Sequence, residues 1–168
     1  VHETLHALLD DPAPGHHRYM PNGGFPAVRE YLANKLREEQ GLTFEKEDVV
    51  LCVGAGGGLN VVAKALLEPG DEVVALAPYF VEYGFYVQNH GGVLTVAKTQ
   101  QEDFLPDLEA LEAVMTPKIR AIIVNSPNNP TGVVYSQAVI DELGSWLRTQ
   151  EQRFGCLLYT SDAADDLW

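Results

Sequence analysis

The feature of this sequence that most constrains its fold is an alternation of short apolar runs with segments of helical periodicity. The connections between these segments are short. A strand followed by a helix and a further strand, repeated along a chain, predicts an α/β fold with a mostly parallel sheet and helices on both faces. Four runs are predicted as strands of this sheet: DVVLCVG, EVVALAP, VLTVA and RAIIVNSP.

The predicted helices are marked by apolar stripes and by residues that end a helix. In the first helix the stripe is formed by Val28, Tyr31, Leu32 and Leu36, and Gly41 is expected to end that helix. Five segments are predicted as helices: AVREYLANKLREEQG, GGLNVVAKALLEPGD, FVEYGFYVQNHGG, DLEALEAVM and SQAVIDELGSWLRT.

Three parts are distinguished along the chain. Residues 1–26 are rich in Pro, Gly and His, which favours an N-terminal arm or loop. Residues 27–155 carry the alternating pattern and are expected to form part of a large domain. Residues 156–168, CLLYTSDAADDLW, have no clear period.

The last segment is similar to the translated read-through of a transposase adapter used in sequencing libraries. The residues from Cys156 to Asp165 match that translation one by one. We therefore expect residues 156–168 to be a non-native tail, and the native sequence to stop near Gly155. There is also no initiator Met, so the start is not expected to be native either. The chain is therefore expected to be a fragment truncated at both ends. Evolution has not selected such a tail to pack against the rest of the chain. We therefore expect the strand RAIIVNSP to lack its proper neighbour, which would leave an unpaired edge of the sheet.

Composition argues against several classes of function. The 24 acidic residues outnumber the 11 basic ones, and the net charge of −13 disfavours nucleic acid or an anionic membrane as a partner. No apolar run has the length of a membrane span, and no signal peptide is visible. The 2 cysteines form no disulfide framework, which fits a reducing, cytoplasmic compartment. The 5 histidines lack metal-ligand spacing, so no metal site is expected.

A glycine-rich loop, VGAGGGLN, lies between the first predicted strand and the next helix. Unhindered backbone N–H groups at a helix N-terminus form an anion site, and phosphate is the natural ligand. A dinucleotide fingerprint would need Gly or Ala at Leu59 and an acid where Ala77 stands, and the G-K-[ST] of a P-loop is absent. A loop that cradles the phosphate of a small cofactor is favoured over a plain glycine turn without a ligand.

Two other strand ends carry residues suited to a flat ligand. Phe80 can stack on a heterocycle, although core packing is the ordinary role of such an aromatic. Asn129 is held extended by Pro130, so its amide can bond a phenolic oxygen, although a turn explains most Asn-Pro pairs. Carboxyl ends of parallel strands meet at one sheet edge, so the glycine loop, Phe80 and Asn129 are expected to converge there. Together they describe a phosphorylated aromatic heterocycle that bears a hydroxyl.

These motifs resemble those of class I/II aminotransferases, which use pyridoxal 5'-phosphate. RYMPNGGFPAVREYLANKL, VGAGGGLN, EPGDEVVALAPYFVEY and IIVNSPNNPTGVVYS occur in the family's order and spacing, over about residues 15–150. The resemblance implies the large domain of fold type I in residues 27–155, and amino-group transfer between an amino acid and a 2-oxo acid. It also implies a homodimer when the protein has its full length.

The resemblance assigns cofactor contacts to individual residues. Ala55 and Gly56 match the pair whose backbone amides hold the phosphate, although Gly56 is smaller than the residue that relatives often carry. Phe80 matches the aromatic that stacks on the pyridine ring, where Trp is commoner. Asn129 matches the asparagine that bonds the ring hydroxyl, and Tyr19 matches a tyrosine that reaches the phosphate of the other subunit.

The same resemblance implies residues that the chain lacks. An Asp, a Tyr, the Schiff-base lysine that bonds the cofactor and a carboxylate-binding Arg are all expected beyond Gly155. No lysine stands in the family's lysine context, so no catalytic residue is assigned and the fragment is expected to be inactive. Two alternatives stay open: another fold-type I chemistry such as a lyase or decarboxylase, and a nucleotide-binding module without catalysis. The available lysines are Lys35, Lys46, Lys64, Lys98 and Lys118.

Overall fold

The computed structural model describes residues 2–10, 18–154 and 159–162. The chain divides into two compact units, Val1–Cys52 and Val53–Trp168. Within the described ranges, none of the helices has both the length and the apolar character needed to cross a membrane.

The first unit is built from helices and turns. Its second helix starts with Pro26, whose missing N–H is no loss in a first helical turn. The helix ends at Gly41, as predicted, with φ at 66° and its N–H donating to the Arg37 carbonyl over 3.0 Å. The elements of this unit are α1 (His2–Asp10), α2 (Pro26–Gln40) and a 3₁₀ turn (Lys46–Asp48).

Two expectations for this unit differ from the structure. Residues 2–10 form α1 within the segment expected to be an arm or loop, because no glycine or proline interrupts these nine residues. In α2 the buried residue is Ala33, while Val28 and Tyr31 of the predicted stripe are exposed. Periodicity identifies an apolar face but not how much of that face finds a packing partner.

The second unit confirms the predicted α/β fold. Its sheet has the strand order β2-β1-β3-β4, and each of the three pairings is parallel. Helices connect successive strands, as parallel pairing requires. The elements are α3 (Gly54–Leu66), β1 (Glu72–Ala77), α4 (Glu82–Gln88), β2 (Val93–Lys98), α5 (Leu108–Val114), β3 (Ile119–Val124), α6 (Gln137–Phe154) and β4 (Tyr159–Asp162).

Alternate residues of a strand point to opposite faces of the sheet, and here each face packs against helices. Val74 and Ile122 face a core that includes Leu111 of α5 and residues of α6. Val73 and Ile123 face a second core with residues of α4, against which part of α3 also packs. The unit therefore has the three layers predicted from the alternating pattern.

The predicted first strand, DVVLCVG, is wrong. The segment forms no strand, and Val50 and Val53 are 58% and 94% exposed. A strand needs a neighbour that pairs with its backbone, and none of the four described strands pairs with this segment. The other three predicted strands correspond to β1, β2 and β3.

The expected unpaired edge beside RAIIVNSP is also wrong. β4 lies inside the predicted non-native tail and pairs with β3 from Ala121↔Tyr159 to Val124↔Asp162. Ladder bonds join backbone groups, so an extended segment can make them whatever its side chains. The rest of residues 156–168 lies outside the described residues.

Candidate functional site

A cavity of about 280 Å³ lies beyond the carboxyl ends of β1 and β3, beside the first turn of α3. In an open parallel sheet this edge is the usual position of a ligand site. The described lining residues carry no charged side chain, although the chain as a whole is strongly acidic. They are Ala55, Gly56, Leu59, Phe80, Tyr83, Tyr86, Asn125 and Asn129.

The glycine end of the cavity is the first turn of α3. The helix begins at Gly54, where φ is 66°, a value that favours glycine. N–H groups in a first helical turn have no partner within the helix, and this end carries the positive pole of the helix dipole. Ala55 and Gly56 lie in this turn and line the cavity, which makes it suited to an anion.

Gly56 also admits a close neighbour. A Cβ added to Gly56 would lie 2.7 Å from the hydroxyl oxygen of Tyr86, closer than real Cβ contacts come. The Tyr86 hydroxyl donates to the Glu82 carboxylate, and this bond, followed by burial, raises the pKa of Tyr86 above its ordinary value of 10.0. The phenol therefore stays protonated at neutral pH.

Aromatic side chains form another wall. The Phe80 ring is half-buried and meets the buried Tyr83 edge to face, with ring centroids 5.8 Å apart and planes at 79°. Tyr83 in turn stacks with Tyr79 at 6.4 Å. Phe80 also packs against the core, which is the ordinary role considered for it from sequence, and its stacking on a heterocycle stays a prediction.

The loop after β3 is held by Asn128, which the sequence did not single out. Its buried side chain donates from Nδ2 to the Pro78 carbonyl at 3.1 Å and to Thr131 Oγ1 at 2.9 Å. Its backbone N–H also donates to the Val133 carbonyl at 2.9 Å. The neighbouring Asn129 is exposed and lines the cavity. One asparagine thus fixes the loop while the next lines the cavity.

Asn125 is a second residue that the sequence did not reveal. It follows β3 directly, is 5% exposed and lines the cavity, yet its buried Oδ1 has no hydrogen-bond partner among the described residues. A buried acceptor without a partner costs free energy, which a ligand donor would recover. A polar residue placed directly after the apolar run AIIV of β3 was the available signal.

The structure thus brings four of the five predicted cofactor residues together around one cavity: Ala55, Gly56, Phe80 and Asn129. Tyr19 belongs to the first unit and its side chain is fully exposed, and its predicted role stays a prediction. Among the described residues that line the cavity there is no lysine.

A smaller cleft of about 40 Å³ lies between α3 and the sheet. Apart from Tyr86, its lining is aliphatic, including Leu66, Val73 and Ile123. It offers few groups that could orient a polar ligand, so the larger cavity is the candidate site.

Comparison with known proteins points in the same direction. The model of the family aminotransferase class I and II matches residues 1–152. The aspartate/prephenate aminotransferase of Thermus thermophilus is 43% identical over 132 residues, which are 78% of this chain and 34% of that protein. The aspartate aminotransferase of Geobacillus stearothermophilus is 40% identical over 141 residues, 83% of this chain and 36% of that protein.

Solved structures share the fold. An aminotransferase from Eubacterium rectale has a TM-score of 0.86 at 30% identity, covering 96% of this chain and 41% of its own. The aspartate aminotransferase of Thermus thermophilus with maleate has a TM-score of 0.77 at 36% identity, with coverages of 96% and 41%. The chain spans about a third of the length of the curated relatives that it matches. On its sequence, its sheet and its matching family, this chain belongs to the class I and II aminotransferases, which have fold type I.

Proposed function

We propose that the complete protein is a pyridoxal 5'-phosphate-dependent aminotransferase and that the cavity of this chain holds the cofactor. Enzymes of this family use that cofactor. The observation that carries the proposal is the meeting of the α3 turn, Phe80 and Asn129 around one cavity of about 280 Å³. They offer an anion-binding turn, an aromatic face and an amide, which are the groups that a phosphorylated hydroxypyridine needs.

Two further observations fit the cofactor. The described lining residues carry no charged side chain, which limits the repulsion of a phosphate in a chain of net charge −13. The Glu82 carboxylate beside Tyr86 is exposed, so solvent screens its charge. The Oδ1 of Asn125, which has no partner in the described part of the chain, leaves one buried acceptor for a donor on a ligand.

In this proposal each of the five predicted cofactor-binding residues makes a specific contact with the cofactor. The backbone N–H groups of Ala55 and Gly56 bind the phosphate, Phe80 packs on the ring, and Asn129 donates to the ring oxygen. Tyr19 reaches the phosphate bound by the partner in a homodimer. When bound, the cofactor supplies an aldehyde for the amino group and a ring that withdraws electrons.

The substrates are an amino acid and a 2-oxo acid. Relatives named aspartate aminotransferase favour a dicarboxylic amino acid as donor. The family resemblance implies that the lysine that bonds the cofactor lies outside the third of the relatives' length that this chain matches. We therefore propose that the 168 residues bind cofactor without turnover. The low cysteine content supports a cytoplasmic location, and the acidic charge argues against nucleic acid or an anionic membrane as a partner.

The test uses a ligand that cannot bond to surface lysines. The ligand 4-deoxypyridoxine 5'-phosphate keeps the ring, hydroxyl and phosphate but lacks the aldehyde. Titration calorimetry of the chain should show saturable binding at one site, weakened by Phe80→Ala and by Asn129→Ala. Absence of saturable binding, or binding that neither variant changes, would show that the cavity is not the cofactor site.

A further inference from the structure

The Tyr86 hydroxyl and the first turn of α3 share one small space. A Cβ on Gly56 would lie 2.7 Å from the Tyr86 hydroxyl oxygen and 3.3 Å from Cζ of the same ring. The side chain at position 56 and the hydroxyl at position 86 are therefore alternatives. In this chain the hydroxyl occupies the space.

Tyr86 lies on a different helix from the glycine-rich first turn of α3. It lies on α4, is half-buried and lines the same cavity as Ala55, Gly56 and Asn129. Its hydroxyl is thus a side-chain donor placed against the end of the cavity where backbone N–H groups are available.

We propose that the Tyr86 hydroxyl is the side-chain donor of the phosphate subsite and completes the anion site that the Ala55 and Gly56 amides begin. This rests on the proposed cofactor function and adds a residue from α4 to it. Glycine at position 56 is the condition for the contact, because any larger residue would displace the hydroxyl.

The Tyr86 hydroxyl has a single proton, so it donates to one acceptor at a time and can exchange one acceptor for another. In this structure it donates to Glu82, an exposed acid one helical turn away. When a phosphate lies at the α3 turn, the hydroxyl donates to a phosphate oxygen, and Glu82 regains water as its partner. The positive pole of the α3 dipole favours a phosphate at this turn.

The experiment compares a phosphorylated with an unphosphorylated ligand on the whole chain. Titration calorimetry with 4-deoxypyridoxine 5'-phosphate and with 4-deoxypyridoxine gives the affinity ratio that the phosphate contributes. In Tyr86→Phe this ratio should fall about tenfold, the loss expected for one hydrogen bond to a charged group. The affinity for the unphosphorylated compound should stay within about twofold, since it does not use the donor.

Glu82→Ala separates phosphate binding from a structural role. If Tyr86 serves only to anchor Glu82, removing either partner should have the same effect. The proposal instead expects Glu82→Ala to bind the phosphorylated ligand as tightly as the unchanged chain or more tightly, because a competing acceptor and a negative charge are gone.

A double substitution tests the shared space. Gly56→Ala should weaken binding of the phosphorylated ligand in the Tyr86 chain, and should do so less in the Tyr86→Phe chain. Gly57→Ala is the matched control on the same helix, because among the described residues its Cβ would meet the Val53 Cβ alone, at an ordinary 3.7 Å. If Gly56→Ala instead lowers the thermal midpoint, the same partial rescue by Tyr86→Phe is read on that midpoint.

Each result decides between the two proposals. If the unchanged chain binds neither ligand, the cofactor function fails and the Tyr86 role fails with it. If the chain binds the phosphorylated ligand but Tyr86→Phe leaves the affinity ratio unchanged, the Tyr86 role alone is overturned. Equal losses for both ligands, or a loss in Glu82→Ala that equals the loss in Tyr86→Phe, overturn it as well.

Discussion

Asn128 donates a hydrogen bond from Nδ2 to the carbonyl oxygen of Pro78, 3.1 Å away and 50 residues earlier in the chain. This bond ties the loop after β3 to the loop after β1. The two loops carry Asn129 and Phe80, so the spacing of two walls of the cavity depends on it.

The first prediction concerns stability. Asn128→Ala removes two side-chain hydrogen bonds from a buried position and should lower the free energy of unfolding by about 1–3 kcal/mol. Urea denaturation followed by circular dichroism measures this loss. Asn129→Ala is the adjacent control, and because Asn129 is exposed its effect on stability should stay within about 0.5 kcal/mol. Equal losses in the two variants would contradict the role given to Asn128.

The second prediction concerns the ring hydroxyl of the ligand. Asn129→Ala should weaken binding of 4-deoxypyridoxine 5'-phosphate by about 0.5–1.5 kcal/mol, the usual net value of one hydrogen bond. The 3-deoxy analogue lacks the acceptor, so its affinity should be the same for both chains. Calorimetry with both ligands makes the comparison, and a loss of equal size for the analogue would argue against the contact.

The third prediction concerns catalysis. Among the described residues that line the cavity there is no lysine, so this chain should form no stoichiometric bond with the cofactor. Treatment with pyridoxal 5'-phosphate and borohydride, followed by peptide mass spectrometry, should give only scattered partial labelling. Complete labelling of a single lysine would show that the chain already contains the cofactor-bonding residue.

The fourth prediction concerns the pH dependence of stability. The backbone N–H of Glu68 donates to Asp71 at 3.0 Å and, with Arg120 at 3.2 Å, lowers the pKa of Asp71 below its usual 3.8 against the opposing effect of burial. The folded state then binds this proton less readily than the unfolded state. The stabilisation is complete above the unfolded pKa and is lost as pH falls below about 3.8 through the folded pKa.

Asp71→Asn should therefore lower the free energy of unfolding at pH 7, on the order of 1 kcal/mol. The difference from the unchanged chain should shrink as the pH falls below 3.8. Urea unfolding at a series of pH values tests this, with Glu142→Gln, an exposed acid, as the control. A difference that stays constant down to low pH would mean that the charge of Asp71 has no part in it.

Local sequence was sufficient to predict most of the helices and strands of the second unit. The runs that became β1 and β3 are apolar and end in Pro-containing turns, so their identity as buried strands follows from composition and neighbours alone. The convergence of Phe80 and Asn129 follows from one rule, that parallel strands end at the same edge. The run DVVLCVG satisfies the same local criteria but has no pairing strand, which its own residues cannot reveal.

The residues missed at the site depend on contacts distant in sequence. Asn125, Asn128 and Asn129 have identical side chains within five positions, and only the packed fold makes two of them buried and one exposed. Tyr86 meets Gly56 across 30 positions of sequence, a contact that no periodicity marks. The loop sequences indicated which chemical groups could meet a ligand, whereas the tertiary fold shows which of these side chains are buried and which line the cavity.

The closeness of Gly56 to Tyr86 limits the order in which the site can change during evolution. A mutation that places a side chain at position 56 meets the Tyr86 hydroxyl at once, whereas loss of that hydroxyl first leaves the space free. A side chain at position 56 therefore requires the Tyr86 hydroxyl to shift or to be lost. We expect variants of this protein with a larger residue at 56 to differ at position 86 more often than variants that keep glycine there.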